Sequence, residues 1–234
     1  MEKIFELNSA KIALPNPEFY EKTNWSKNTL LSGIDEVGRG CLAGPVVACA
    51  VILHPHSKHH LLKDSKILTE NQRRQAAKWI YAHAWYGFGI IDHTLIDQHN
   101  IYQATLSAIK RAYYGLITQP NLPQTPAQVL IDAMPLKLGQ NGPEILSFTK
   151  GESKSISIAA ASILAKVMRD SLMVRLEKTF PGYHFAKNKG YGAPVHRDYL
   201  QQQGTSLIHR KSFLSKLQEG KRNEDRKQQT SLFC

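Results

Sequence analysis

The chain has 234 residues, 42% of them hydrophobic and 21% charged, the composition of a soluble globular protein with room for one large domain or a core with an appendage. Thirty lysines and arginines against 19 acids give a net charge of +11, which points to a polyanionic partner. Cys41, Cys49 and Cys234 are odd in number and lack metal-ligand spacing, which argues against a disulfide scaffold, and no stretch approaches the ~18 apolar residues of a membrane span.

Residues 1–30 form a lead-in where Pro15 and Pro17 argue against one long helix. It has no signal-peptide core, so a cytoplasmic location is expected. Ser32 to Val37 and the apolar run Gly44 to Leu53 are predicted as two buried strands joined by a tight connection at Gly38-Arg39-Gly40. Thr69 is a helix N-cap by type, and Thr69 to His83 carries Ala76, Ala77 and Ile80 on one side. A third strand follows at Trp85 to Ile91, then one long helix from Thr94 to Leu116. After a proline-rich connection, Gln128 to Asp132 and Ile145 to Thr149 are short strands. Ile156 to Lys178 is a long helix whose first half is lined with small side chains, which permit close approach to a sheet. A basic loop from Lys187 to Gly192 leads to shorter helices near His196 to Gln203 and Lys211 to Gln218, and then to a polar tail. This order favours an α/β core with helices on both faces of a mixed sheet, and chemistry at the ends of its central strands. The expected units are the lead-in, a catalytic core over 31–180, a C-terminal helical lobe over 181–219 and the tail over 220–234.

Asp35-Glu36 inside an apolar strand is the most informative local feature. Adjacent strand residues point to opposite faces, so a twist or bulge near the following glycines is needed for both to serve one pocket. Buried carboxylates are costly without positive compensation, and a divalent cation supplies it. Asp132 ends a second apolar strand, and Glu152 precedes the small-residue helix. Carboxylates without histidine or cysteine suit Mg²⁺ or Mn²⁺, and two such ions roughly 3.5–4 Å apart can drive phosphodiester hydrolysis. Taken singly, Asp132 reads as a turn or cap residue and Glu152 as a helix-dipole acid. Zinc at His54, His56, His59 and His60 has the weaker case, since the segment looks like a surface loop.

The string from Gly33 to Gly40, Gly-Ile-Asp-Glu-Val-Gly-Arg-Gly, followed by Leu42-Ala43-Gly44-Pro45-Val46-Val47, closely resembles the opening signature of the ribonuclease HII family. The resemblance continues through Asp64-Ser65-Lys66, Leu130-Ile131-Asp132, Lys150-Gly151-Glu152-Ser153, the run from Ala159 to Asp170, Lys189-Gly190-Tyr191-Gly192 and His209-Arg210-Lys211-Ser212-Phe213. It implies a ribonuclease H-like mixed sheet flanked by helices, with a C-terminal helical lobe. It also implies two Mn²⁺ or Mg²⁺ ions on Asp35, Glu36, Asp132 and Glu152. Gly38-Arg39-Gly40 would sense the 2′-hydroxyl that marks RNA, Tyr191 would stack on the deoxyribose side of a junction, and Lys66, Lys166, Arg169 and Lys189 would contact phosphates. For Arg169-Asp170 a helix-surface ion pair is an equal reading.

The implied activity is hydrolysis of the RNA strand of RNA/DNA hybrids and cutting 5′ of ribonucleotides in duplex DNA, leaving 3′-hydroxyl and 5′-phosphate ends. The implied partner is nucleic acid, with no membrane, and the protein is expected to act as a monomer. Two departures stand out: the fourth acid is Glu152 where the family usually has Asp, and Ala133 stands where Gly is common. The rivals are the sister ribonuclease HIII family, which lacks the Gly-Arg-Gly form of the motif, and a hybrid-binding protein without turnover.

Overall fold

The computed structural model describes residues 16–132, 134–139 and 142–214. The 220–234 tail, Ala133, half of the lead-in and the end of the Lys211–Gln218 helix lie outside these residues. The strands are β1 (Leu31–Val37), β2 (Val46–Leu53), β3 (Ala84–Ile91), β4 (Gln128–Asp132) and β5 (Glu144–Phe148). They form one mixed sheet in the order β3-β2-β1-β4-β5. β1 runs antiparallel to β2 and parallel to β4, so Asp35-Glu36 and Asp132 finish at the same edge of the sheet.

The helices are α1 (Phe19–Ser26), α2 (Glu70–His83), α3 (His93–Ile117), α4 (Ile156–Thr179), α5 (Phe185–Asn188) and α6 (Pro194–Gln203). β2 is buried along its whole length because both faces are covered. Ala48, Ala50 and Ile52 pack toward α3, whereas Cys49, Val51 and Leu53 pack toward α2 and α4. Thr69 caps α2 in a reciprocal box with Gln72, each accepting from the other's backbone N–H. The predicted single helix before β4 is instead two helical stretches merged across a kink at Asn100, φ +64°. Its Oδ1 accepts the N–H groups of Tyr102 and Gln103, so the side chain that tolerates a left-handed backbone also caps the second stretch.

Two short helices were not predicted. α1 has a weakly patterned sequence and is fixed by a long-range contact: Glu21 Oε1 accepts the Ser155 hydroxyl at 2.6 Å and the Ser157 N–H at 2.9 Å. The carboxylate thus sits at the N-terminus of α4, where the helix dipole favours it. α5 is a single turn whose Phe185 enters a small cluster with Ala43, Met173 and Tyr183. Among the described residues no helix is long and apolar enough to cross a membrane.

Candidate active site

Asp35, Glu36 and Asp132 lie at the shared end of β1 and β4. The β1–β2 register runs without interruption from Gly33–Val51 to Val37–Val47, so no bulge falls between Gly33 and Val37. Asp35 therefore lies on the α4 side, with the Ser162 hydroxyl as a partner, while Glu36 projects from the opposite face at the strand end. The two are reconciled by Asp132, whose charge acts on both. Asp132 in turn accepts the Gly151 N–H at 2.9 Å, which brings the 3₁₀ turn Gly151–Ser153, and hence Glu152, beside it. Sequence alternation made the pair improbable as one site; the parallel neighbour is what joins them.

Electrostatics follow from this crowding. Burial and the Glu36 charge push the Asp35 carboxyl well above the usual carboxylate range. Burial likewise raises Glu36 and Asp132, against the lowering effects of Arg39 and of the Gly151 N–H respectively. Glu152 goes the other way: burial raises it, but its own backbone N–H and the Lys66 ammonium outweigh burial. Lys66 Nζ lies 3.3 Å from Glu152 Oε1, and Arg39 Nη1 lies 3.2 Å from Glu36 Oε1. The other oxygen of each glutamate, Oε2, is buried without a hydrogen-bond partner.

Among the described residues no group of three acidic, histidine or cysteine side chains is drawn together closely enough to hold an ion as they stand. The donor set fits a hard divalent cation all the same. It consists of carboxylate oxygens, two of them orphaned and buried, in a region whose repulsion a cation would relieve.

The loop after β1 is held from beneath by two arginines. Arg210 is fully buried, and its guanidinium donates to the carbonyls of Gly38 (2.7 Å), Arg39 (2.8 Å) and Gly44 (2.9 Å). Arg169 is also fully buried and donates to the carbonyls of Ala43, Pro45 and Lys189. This corrects both readings of Arg169: its donors are turned inward to backbone, so it faces neither a phosphate nor Asp170. The ion-pair partner of Asp170 is Lys166, at 2.9 Å. Gly38 has φ +93°, and a Cβ there would overlap the Arg169 side chain. A Cβ at Gly40 would meet nothing within 4 Å, so the protein itself leaves open space beside that backbone.

Tyr191 lies across from this loop. The residue is 40% exposed, with Lys166 Nζ 5.9 Å and the Arg169 guanidinium 5.7 Å from its ring centroid. The tyrosine hydroxyl is pushed up to about 12 by burial and by neighbouring Cys41. Gly190, φ +81°, lets the loop approach Ala43 closely, and its carbonyl accepts the Leu42 N–H at 2.8 Å. Lys189 lines a cleft of about 240 Å³ with Arg73, Arg74 and Arg175, three basic residues that sequence reasoning did not single out. Nor did it assign roles to Ser65, Ser162, His196, His209 or Arg210. Ser65 and Ser162 are joined at 2.9 Å beneath Asp35, and their signal was present in the matched strings without a role attached. The histidines weighed for zinc are engaged in ring packing: His54 on Trp85, His56 on Trp25 and His59 on Trp79.

Comparison with known proteins adds independent findings. A family model described as Ribonuclease HII matches residues 32–216. The chain is similar to a protein named Ribonuclease HII from Levilactobacillus brevis, at 46% identity over 195 residues, covering 83% of this chain and 72% of that one. Its fold is similar to the crystal structure of the ribonuclease H2 from Pyrococcus horikoshii OT3, with a TM-score of 0.64 and 23% identity over 82% of this chain and 99% of that one. It is also similar to Bst-RNase HIII in complex with Mn²⁺, with a TM-score of 0.61 and 21% identity over 75% of this chain and 63% of that one.

Proposed function

The chain belongs to the ribonuclease HII family and is a nuclease with ribonuclease H activity on RNA/DNA hybrids; on that premise we propose that it cuts 5′ of single ribonucleotides embedded in duplex DNA, leaving 3′-hydroxyl and 5′-phosphate ends. The observation that carries this proposal is the linkage of two loops beside the acids. Arg169 ties the Ala43 and Pro45 carbonyls, just past Gly38-Arg39-Gly40, to the Lys189 carbonyl beside Tyr191. One loop leaves open space at Gly40 for a sugar 2′-hydroxyl to approach backbone groups; the other offers an aromatic ring on which the next sugar rests. A site with those two requirements reads the step from ribose to deoxyribose.

Asp35, Glu36, Asp132 and Glu152 would hold Mn²⁺ or Mg²⁺, two ions in the working site, with the orphaned Oε2 atoms of both glutamates as ready donors. When bound, such ions supply a more acidic water and positive charge at the departing oxygen. A ribonuclease HIII of similar fold was solved in complex with Mn²⁺, which supports the choice of a divalent cation. Ser162 and the Glu36 N–H hold the Asp35 carboxylate in place, and the Gly151 N–H does the same for Asp132. Lys66, 79% exposed in its side chain, is free to turn from Glu152 toward a phosphate once other positive charge occupies the acids.

An end-labelled DNA duplex with one ribonucleotide, incubated with Mn²⁺, Mg²⁺ or chelator, tests the proposal. We expect one metal-dependent cut 5′ of the ribonucleotide and at least about a hundredfold loss in Asp35→Asn, the scale on which removal of a charge-stabilising group acts. Cutting of an all-RNA/DNA hybrid with none at the single ribonucleotide would sink the junction reading.

A further inference from the structure

The C-terminal lobe contains a hydrogen-bond chain whose direction is fixed at both ends. The Ser206 backbone N–H donates to His209 Nδ1 at 2.9 Å, and the Ser206 hydroxyl lies 2.8 Å from the same nitrogen. His209 Nε2 lies 2.9 Å from His196 Nε2, and His196 Nδ1 lies 2.8 Å from the Tyr191 carbonyl oxygen. A backbone N–H only donates and a carbonyl only accepts. His209 Nδ1 is therefore bare, and its proton is on Nε2, directed at His196. His196 accepts at Nε2 and carries its own proton on Nδ1, directed at Tyr191. Both rings are neutral in this arrangement, because a second proton on either would set N–H against N–H or against the Ser206 amide. Both are sealed from solvent, at 0% and 2% exposure, with Tyr183 and Phe185 packed on them.

We propose that the Ser206–His209–His196 chain is a positioning relay that sets the Tyr191 loop against the Gly38–Gly40 loop, and thereby sets how strongly the enzyme prefers a ribonucleotide–DNA junction. This rests on Tyr191 being the substrate-facing aromatic. The segment that carries His209 pairs with Ala43 in an isolated β-bridge, and its next residue, Arg210, grips the Gly38 and Arg39 carbonyls. Two consecutive residues thus hold the two substrate loops: Arg210 holds one directly, and His209 holds the other through His196. The Tyr191 carbonyl takes the His196 proton and the Ala193 N–H together, so its backbone is fixed from behind while its ring faces outward. Packing alone would be served by two apolar side chains, without the cost of desolvating two imidazoles. A polar pair in which each hydrogen bond has one allowed direction is suited to fixing a position.

Two measurements test the relay. Nitrogen-15 NMR of histidine-labelled protein should show the Nδ1–H tautomer at His196 and the Nε2–H tautomer at His209; the reverse pairing overturns the proposal. In kinetics, His196→Phe should lower kcat/KM on the single-ribonucleotide duplex by about three- to tenfold, the scale of one hydrogen bond, while sparing an all-RNA/DNA hybrid. His196→Asn, whose amide can still donate to the Tyr191 carbonyl, should recover most of that loss. In a Tyr191→Ala background, His196→Phe should have no further effect. If His196→Phe does not fold, His209→Asn, which breaks the middle link, carries the same comparison. Equal losses on both substrates, or losses that add in the Tyr191→Ala background, overturn the relay. Absence of junction cutting by the wild type overturns the role of Tyr191 and the relay together, whereas wild-type cutting with additive losses overturns the relay alone.

Discussion

Among the described residues the two largest fully buried side chains are both arginines, Arg169 and Arg210, and neither has a carboxylate there as ion-pair partner. Their charges are instead spread over backbone carbonyls of the loops that flank the acids, an arrangement that satisfies planar donors geometrically. Burial holds Arg210 down to about 10, still well above neutral pH, so the loop is clamped by a permanent cation. Its neighbour behaves differently: burial and His196 hold His209 at about 4, below the ordinary 6.5. The sign of the linkage is clear. Between 6.5 and 4 the unfolded chain binds a proton there that the folded chain refuses, so stability falls on acidification and levels off below about 4. A single site of this kind is worth on the order of 3 kcal/mol over that interval. Urea unfolding of wild type between pH 7 and pH 4 should show that slope, and His209→Asn should flatten it; an unchanged slope would assign the acid sensitivity elsewhere.

At the level of elements, the site depends on how closely α4 lies against β1. A Cβ at Gly33 would overlap the backbone of Ser157 and Ile158, and the same helix presents Ala159, Ala160 and Ala161 as buried residues. Gly33→Ala should therefore push α4, with Ser162, away from Asp35. We expect destabilisation of about 1–3 kcal/mol or more, typical of overpacking, together with lost activity. Retention of wild-type stability in a chemical denaturation curve would show that the helix yields without cost. Much of this arrangement was legible beforehand. The bounds of β4 were read correctly, as were the Thr69 cap and the small-residue face of α4, because each is written in local chemistry. What escaped notice depends on distant partners: α1 is fixed by Glu21 reaching Ser155 and Ser157, and the α3 kink by one asparagine in a left-handed conformation. The four acids could be named from the sequence as candidates, but not the arrangement that brings Asp35, Glu36 and Asp132 to one end of the sheet. That comes from β4 pairing in parallel with β1, a partner that strand alternation cannot reveal. Arg169 was misjudged for a related reason: nothing in its local sequence signals that the face it lies on is covered.

Over the whole molecule, the excess of eleven positive charges has a direct readout. Arg39, Lys66 and Lys166 surround the acids and Tyr191, and Lys189 continues the basic surface into the cleft with Arg73, Arg74 and Arg175. Each cation that meets a phosphate contributes about one unit to the slope of log KM against log salt. Lys66→Met should reduce that slope by about one on a long hybrid, whereas Arg169→Met should leave the slope unchanged, since its guanidinium is turned inward. A slope change in the second variant would show that Arg169 reaches the substrate after all.

The grip of Arg210 on Gly38 joins positions 172 residues apart, and this gives the enzyme a history as well as a shape. All four acids leave the ribosome well before the arginine that fixes the loop beside them. At synthesis rates of about 5–20 residues per second, the 58 residues from Glu152 to Arg210 take roughly 3–12 s. Throughout that interval the growing chain, surrounded by messenger RNA, carries all four acids without the clamp that fixes the Gly38–Gly44 loop beside them. A nascent chain arrested before residue 210 should bind nucleic acid through its basic residues yet leave a hybrid uncut, and release of the full chain should start cleavage.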